Sequence, residues 1–395
     1  VDRPQPLGRK IASLRKARGW TQDGLALHLH RSASWVTKVE RGVLHIDSMS
    51  TLREIAKVFN VAVSELSEEV AEVANPVAMD GNSELVRLLD RPARMFTPCE
   101  QARSQLELTK AVLSLRRTYN QSSSKFLSAA TELPRLIIDA TALAENCRSA
   151  HARSRAYATL ANLYRLGALE FRHRYDHLHA RLALDRAAAA AEYSDNPILI
   201  GSVAATLTTE LMIGGHPEEA TALAEETANL VSKGPLSIDA EHVIGVLRLY
   251  GAQSAARSGS RMSAMRLLSA AETVARTDTE RYFLIFGPAN IAVQRAGISV
   301  DLERPADALE ACSSLDPGLL RSTNRVCYFQ LHKARAYGMV GALDGAVVAL
   351  TAAWQAAPHI VVNDPLGRRQ VSELLDKKRT FDAPLRRIAH QMNLL

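Results

Sequence analysis

The chain has 395 residues, 47% of them hydrophobic but only 5% aromatic, so it is soluble in composition and too long for one domain. No stretch reaches about eighteen unbroken apolar residues and the first thirty hold no apolar signal core, so the expectation is a chain that stays in the cytoplasm. The net charge of +6 lies entirely at one end: residues 1–41 carry nine Lys or Arg against three Asp or Glu, and the rest balances. A positive excess confined to one segment is an electrostatic footprint for phosphate.

In chain order, residues 21–42 predict two short helices joined by a tight turn. The first runs from about Thr21 to Leu29, with Thr21 as N-cap and Leu25, Ala26 and Leu29 on one face. The second runs from about Ala33 to Arg41, with Ser32 as N-cap and Val36 and Val39 on its buried stripe. Ala26 keeps a small side chain where the two cross. Ala33, Ser34, Thr37 and Lys38 remain on the outer face, short or polar groups at the end of the helix that enters a major groove.

The segment Leu7–Leu66 resembles the helix-turn-helix of the phage Cro and repressor class, the XRE family. The resemblance rests on residues 14–22 (LRKARGWTQ), 38–42 (KVERG) and 52–61 (LREIAKVFNV). It implies a five-helix DNA-binding domain over residues 1–72. It further implies that Gln22 holds a phosphate, that Arg15 and Glu40 form a structural ion pair, and that Ser32, Ala33, Ser34, Thr37 and Lys38 face the bases. Arg41 and Lys16 lie near the backbone, and Trp35 is expected to combine packing with a backbone contact. Two residues depart from the family pattern: His30 stands where a turn glycine is usual, and Gly24 falls mid-helix, at a cost of ~1 kcal/mol relative to Ala.

Residues 73–102 read as linker and connecting helix, punctuated by Asn75-Pro76 and Gly81-Asn82. From 103 to 395 the pattern is all-α. Ala- and Leu-rich helical segments are separated by turns at Asp195–Pro197, Gly214–Pro217, Lys233–Pro235, Ser258-Gly259, Phe286–Pro288, Arg304-Pro305, Asp316–Gly318 and Gly341. Almost no β-branched alternation is visible. Ala220, Ala264, Ala308 and Ala346, with Ala180 as a weaker earlier member, recur at 40, 44, 44 and 38 residues. A period near forty with small residues at helix crossings is a helical-hairpin solenoid, similar to tetratricopeptide repeats with lengthened helices. Five or six pairs are expected between 103 and 357, capped by two amphipathic helices in 363–395.

The combination resembles actinobacterial XRE regulators with a tetratricopeptide-like C-terminal half, on residues 34–42 (SWVTKVERG), 286–293 (FGPANIAV), Ala357-Pro358 and 363–366 (NDPL). More distantly it is like the RRNPP peptide-sensing regulators. These resemblances imply a sequence-specific transcriptional regulator, nucleoid-associated, binding a double-stranded (pseudo)palindromic operator as a homodimer. Its DNA affinity would be set by a small molecule or peptide on the concave face of a ligand-sensing and dimerisation domain. The alternative is a scaffold whose repeats bring a protein partner to DNA without a small ligand.

The concave face is lined by the first helix of each pair, and the polar residues that interrupt those apolar stripes are the candidate ligand contacts: Asn162, Thr209, Arg248, Gln253, Asn290, Gln294, Tyr328 and Arg335, with Glu210 beside them. For any one of them alone, an inter-helix hydrogen bond or a solvated position is the favoured reading. His173, His177 and His179 cluster, but a solvated helix end is favoured over a metal site. Cys99, Cys147, Cys312 and Cys327 are scattered without a C-x-x-C pair, so reduced and mostly buried thiols are expected. No nucleophile elbow, phosphate loop or paired-carboxylate site is present; the expectation is a non-enzyme without cofactor.

Overall fold

The computed structural model describes residues 6–29, 31–42, 46, 49–59, 61, 66, 84–91, 103–121, 129–173, 176–235, 237–377, 383–392 and 394. Four helices form the first unit: α1 (Pro6–Ala17), α2 (Gln22–His28), α3 (Ala33–Glu40) and α4 (Met49–Phe59). Thr21 Oγ1 accepts from Gly24 N at 3.0 Å and Ser32 Oγ from Trp35 N at 3.1 Å, so both expected caps are made. Gly24 therefore lies in the first turn of α2, its N–H satisfied by the cap, rather than mid-helix. Ile11, Leu25, Leu29, Val36, Val39, Ile55 and Phe59 close a core between the four helices. The fifth helix, apart from Leu66 in that core, and the His30 turn lie outside the described residues.

The rest of the chain begins with α5 (Glu84–Asp90), α6 (Gln105–Gln121), α7 (Leu133–Asn146), α8 (Ala150–His173), α9 (His177–Tyr193), α10 (Pro197–Ile213) and α11 (Pro217–Ser232). It continues through α12 (Ile238–Arg257), α13 (Arg261–Glu272), α14 (Pro288–Asp301), α15 (Pro305–Ser313), α16 (Thr323–Met339) and α17 (Leu343–Ala356). The end is made by α18 (Pro358–Asn363), α19 (Pro365–Lys377) and α20 (Ala383–Gln391). Proline opens α10, α11, α14 and α15, where its missing N–H costs nothing. Left-handed glycines Gly215, Gly259 and Gly341 follow the first helices of three pairs and reverse the chain.

From α6 to α17 these helices stack as six antiparallel pairs. Ala180, Ala220, Ala264, Ala308 and Ala346 are all fully buried in the second helix of a pair, where a larger side chain would hold the helices apart. The first helices α6, α8, α10, α12, α14 and α16 touch in series and form the inner layer. The array also closes on itself: α6 meets α16, with Thr323 Oγ1 reaching Asn120 O at 3.4 Å, and α18 rests on α8. On the outside, α4 approaches α12, and Thr51 Oγ1 lies 3.1 Å from Glu303 Oε1.

One short element in this all-α half is not helical. Thr279–Arg281 (β1) and Leu284–Phe286 (β2) form an antiparallel hairpin with Thr279 opposite Phe286. Its two-residue turn, Tyr282-Phe283, has both residues at positive φ (50° and 62°). Such turns normally use Asn-Gly or Asp-Gly, so the sequence carries no hairpin signature here. The tip survives in this conformation because Arg165 Nη1 donates to Tyr282 O at 3.0 Å and Arg116 Nη2 to Phe283 O at 2.7 Å. The hairpin thus crosses the concave face from α12 to α6 and α8.

Candidate DNA-binding helix and central cavity

In the first unit, Arg15 Nε and Nη2 donate to the two carboxylate oxygens of Glu40 at 2.5 and 3.0 Å, and Nη1 donates to Trp20 O at 2.6 Å. Both side chains are largely buried, and the hydrogen bond from Glu40 leads in raising the Arg15 pKa, against burial. Gln22 joins this network. Its Nε2 donates to Glu40 Oε2 at 2.8 Å and its Oε1 accepts from Thr37 Oγ1 at 2.8 Å, so its carboxamide ties α2 to α3. Arg18, not singled out from the sequence, donates to Val58 O and Phe59 O and lies near the rings of Trp20 and Phe59, tying α1 to the end of α4.

Along α3, Ser34 and Lys38 are exposed, Ala33, Trp35 and Thr37 are half-buried, and Val36 and Val39 are core. Lys16 and Arg41 are exposed as well. Ser32 spends its oxygen on the cap and Thr37 spends its hydroxyl on Gln22 or Ala33 O, whereas Ser34 and Lys38 are exposed polar side chains of α3 not used in this way. Trp35 belongs to the core through one edge, and the Arg31 guanidinium stands 5.5 Å from its ring. Arg31 is an exposed cation at the start of α3 that family pattern alone did not bring forward.

The second site is a cavity of about 240 Å³ enclosed by the inner helices, the hairpin and α18. Of the eight candidate residues read from the sequence, Thr209, Gln253, Gln294 and Tyr328 stand on its wall. The other four do not, each for a visible reason. Asn162 holds Ala158 O and Arg165, and Arg248 reaches Ala270 O on the outer layer. Asn290 donates to Ile285 O of the hairpin, and Arg335 pairs with Asp301 at 3.0 Å.

Sequence reasoning missed the arginines. Arg116, Arg165, Arg172, Arg257 and Arg325 all line the cavity. Three have carboxylates: Arg116 pairs with Glu280 at 2.5 Å, Arg172 with Glu210 at 2.9 Å and Arg257 with Asp301 at 3.3 Å. Glu210 is fully buried; burial works against its charge, yet Arg172 and His177 hold its carboxyl below the usual range. Arg165, only 3% exposed, has neutral partners alone: Thr206, Ser202, Asn162 and Tyr282 O. Burial, with Arg116 nearby, pushes its pKa down to about 9, so it stays charged at neutral pH. Arg325 donates to the Tyr250 hydroxyl at 3.0 Å.

The histidines divide. His177 bonds Glu210 at 2.6 Å and His179 bonds Asp176, the cap of α9, at 2.5 Å. His173 stacks at an angle on Tyr119 and edge-on to His359. Among the described residues no group of three His, Cys, Asp or Glu is placed to hold a metal. Burial pushes His173 and His332 down to about 3 and His359 to about 4, so all three line the cavity as neutral rings. Of the cysteines, Cys312 and Cys327 are buried and Cys147 half-buried, all as thiols; Cys99 lies outside the described residues.

Residues 6–68 match the helix-turn-helix domain family. A 60-residue segment is 37% identical to the uncharacterized HTH-type transcriptional regulator YazB of Bacillus subtilis, covering 15% of this chain and 86% of that protein. The chain belongs to the helix-turn-helix transcriptional regulators. Among solved structures, that of Bacillus thuringiensis PlcR in complex with the peptide PapR7 and DNA overlaps 88% of this chain and 98% of that one, at a TM-score of 0.35 and 12% identity. No described helix is long and apolar enough to cross a membrane.

Proposed function

We propose that the protein is a sequence-specific regulator that binds a (pseudo)palindromic operator as a homodimer, and that a signal molecule in the central cavity sets its DNA affinity. Residues 1–72 bind DNA, 73–102 connect, and 103–395 sense and dimerise. One observation carries the sensor reading. Helix α12 lines the cavity through Tyr250, Gln253 and Arg257, and the same helix is approached by α4 of the DNA-binding unit. A ligand that favours one position of α12 therefore has a short path to the recognition helices. Binding one arrangement better by about 1–3 kcal/mol would change operator affinity roughly 5- to 150-fold.

The dimer follows from the size of the interface, since one small recognition helix offers too few base contacts and two read a site one turn apart. The scaffold alternative would suit an open apolar groove, whereas the inner face here is barred by the hairpin. The test selects an operator from random DNA with the full chain, then titrates fractions of a cell extract against that complex while sedimentation reports the oligomeric state. A fraction that shifts operator binding supports the sensor. If no fraction does so and the chain instead retains one protein partner, the scaffold reading replaces it.

A further inference from the structure

The cavity wall has a chemical bias that narrows what it accepts. Among the five arginines on it, Arg165 and Arg325 have no carboxylate within ion-pair distance among the described residues. Arg165 is the more telling, because burying a guanidinium is costly unless it is matched by a counter-charge, and Glu280, the carboxylate that acts on it from a distance, is already paired with Arg116. Neutral hydroxyl and carbonyl oxygens hold it in place without neutralising it. The wall contains one carboxyl of its own, Asp364, which accepts from Tyr328 Oη at 3.2 Å and from Leu366 N at 2.8 Å, capping α19. Burial pushes the Asp364 pKa up, which weakens it as a counter-charge.

Two further features of the wall bear on the rest of the ligand. Gln294 and His332, both at least nine-tenths buried and both on the wall, each carry a polar atom without a hydrogen-bond partner, Oε1 and Nδ1. Gln294 Oε1 accepts, so it calls for a donor group rather than the acid. Much of the remaining surface is apolar, with Leu166, Leu169, Met212, Ile213 and Ile360 facing the same space. The hairpin tip, fastened to α6 and α8, bars the groove to an extended chain and leaves a compact volume.

We infer that the cavity takes a small amphipathic organic anion, whose carboxylate or phosphate is held by Arg165 and Arg325 and whose body lies on the apolar wall. This rests on the sensor reading above and names its ligand class. Charge-assisted bonds to the two guanidinium groups discriminate acid from neutral isostere by about 10- to 100-fold.

The test is calorimetric titration of the full chain with octanoate, octyl phosphate and octanamide. Either acid binding at least about tenfold tighter than the amide supports the inference, and the stronger acid identifies the head group. Arg165→Met should abolish that preference but also releases Tyr282 O at the hairpin tip and the Ser202 and Thr206 hydroxyls, so its melting temperature should fall. Arg325→Met, on a half-exposed residue, should reduce the preference independently. Equal binding of acid and amide, or binding of neither acid, overturns the ligand class. The sensor reading is tested separately by adding the tighter acid to the operator complex. Binding without an operator response keeps the anion site and overturns its regulatory role.

Discussion

Replacing Glu40 by Gln removes one charge from a bidentate pair and leaves the other in place. Arg15 is 9% exposed and Glu40 7%, so the guanidinium would stay largely buried beside a neutral carboxamide. Breaking a buried pair in this way costs about 3–5 kcal/mol. The lower end applies, because Trp20 O still accepts from Arg15 at 2.6 Å and the Gln oxygen keeps one bond. A unit of this size is stable by only about 3–9 kcal/mol, so a loss near 3 leaves a substantial unfolded fraction. Trp20 and Trp35 report on the first unit and Trp354 on the solenoid, so a Trp354→Phe background isolates the first unit's urea transition by fluorescence. Glu40→Gln should lower that midpoint and weaken DNA binding in parallel, since α3 loses its brace to α1 and to Gln22. Arg15→Met with Glu40→Leu should recover most of the loss, because an apolar pair leaves no orphaned charge. A single variant that unfolds and binds DNA like the wild type refutes the reasoning.

Three other outcomes follow from the same geometry. Lys38→Ala should weaken the selected operator by about 1–3 kcal/mol with little effect on random DNA, measured by anisotropy at fixed salt; equal loss on both reassigns Lys38 to phosphate. His332 has a folded pKa of about 3 against about 6.5 when unfolded, so the unfolded chain binds the extra proton and stability falls as pH drops from about 6.5 toward 3. Denaturant titrations between pH 4 and 5.5, where the unfolded imidazole is nearly fully protonated and the folded one is not, should show His332→Gln reducing that slope by about 1.2–1.4 kcal/mol per pH unit, and an unchanged slope would remove His332 from the account. A Cβ on Gly245 would stand 2.3 Å from Phe286 Cζ, so Gly245→Ala should force the hairpin or α12 to move at a cost of about 1–3 kcal/mol. Wild-type urea stability in that variant would show that the ring yields freely.

Much of the architecture was legible because it is written in local patterns. Caps at Thr21 and Ser32, prolines opening helices and buried alanines near a forty-residue period are all short-range signals, and the helices fall where they point. The Arg15–Glu40 pair was readable through family resemblance, since its partners are far apart in sequence. The cavity was only half readable. Thr209, Gln253, Gln294 and Tyr328 stand on it, but nothing local separates them from Asn162 or Asn290, whose amide nitrogens are turned to backbone carbonyls. Arg165 looked like any arginine in an amphipathic helix. Its meaning comes from which oxygens surround it, and Ser202, Thr206 and Tyr282 arrive from two other elements. The hairpin was invisible for a similar reason, because its tip is held by distant arginines rather than by turn residues.

In an open solenoid each repeat feels only its neighbours, and the array bends and unwinds like a spring fixed at no point. Here α6 and α16 meet, and α8 and α18 meet, so the first and later repeats share a seam. A ring resists changes of curvature that a spring accepts. Its pitch alters only by parting the seam or by shifting the whole circuit together, and either event is all-or-none. Damage at the C-terminal end is therefore felt at the opposite end of the array, and unfolding should proceed as one transition where an open array would fray repeat by repeat.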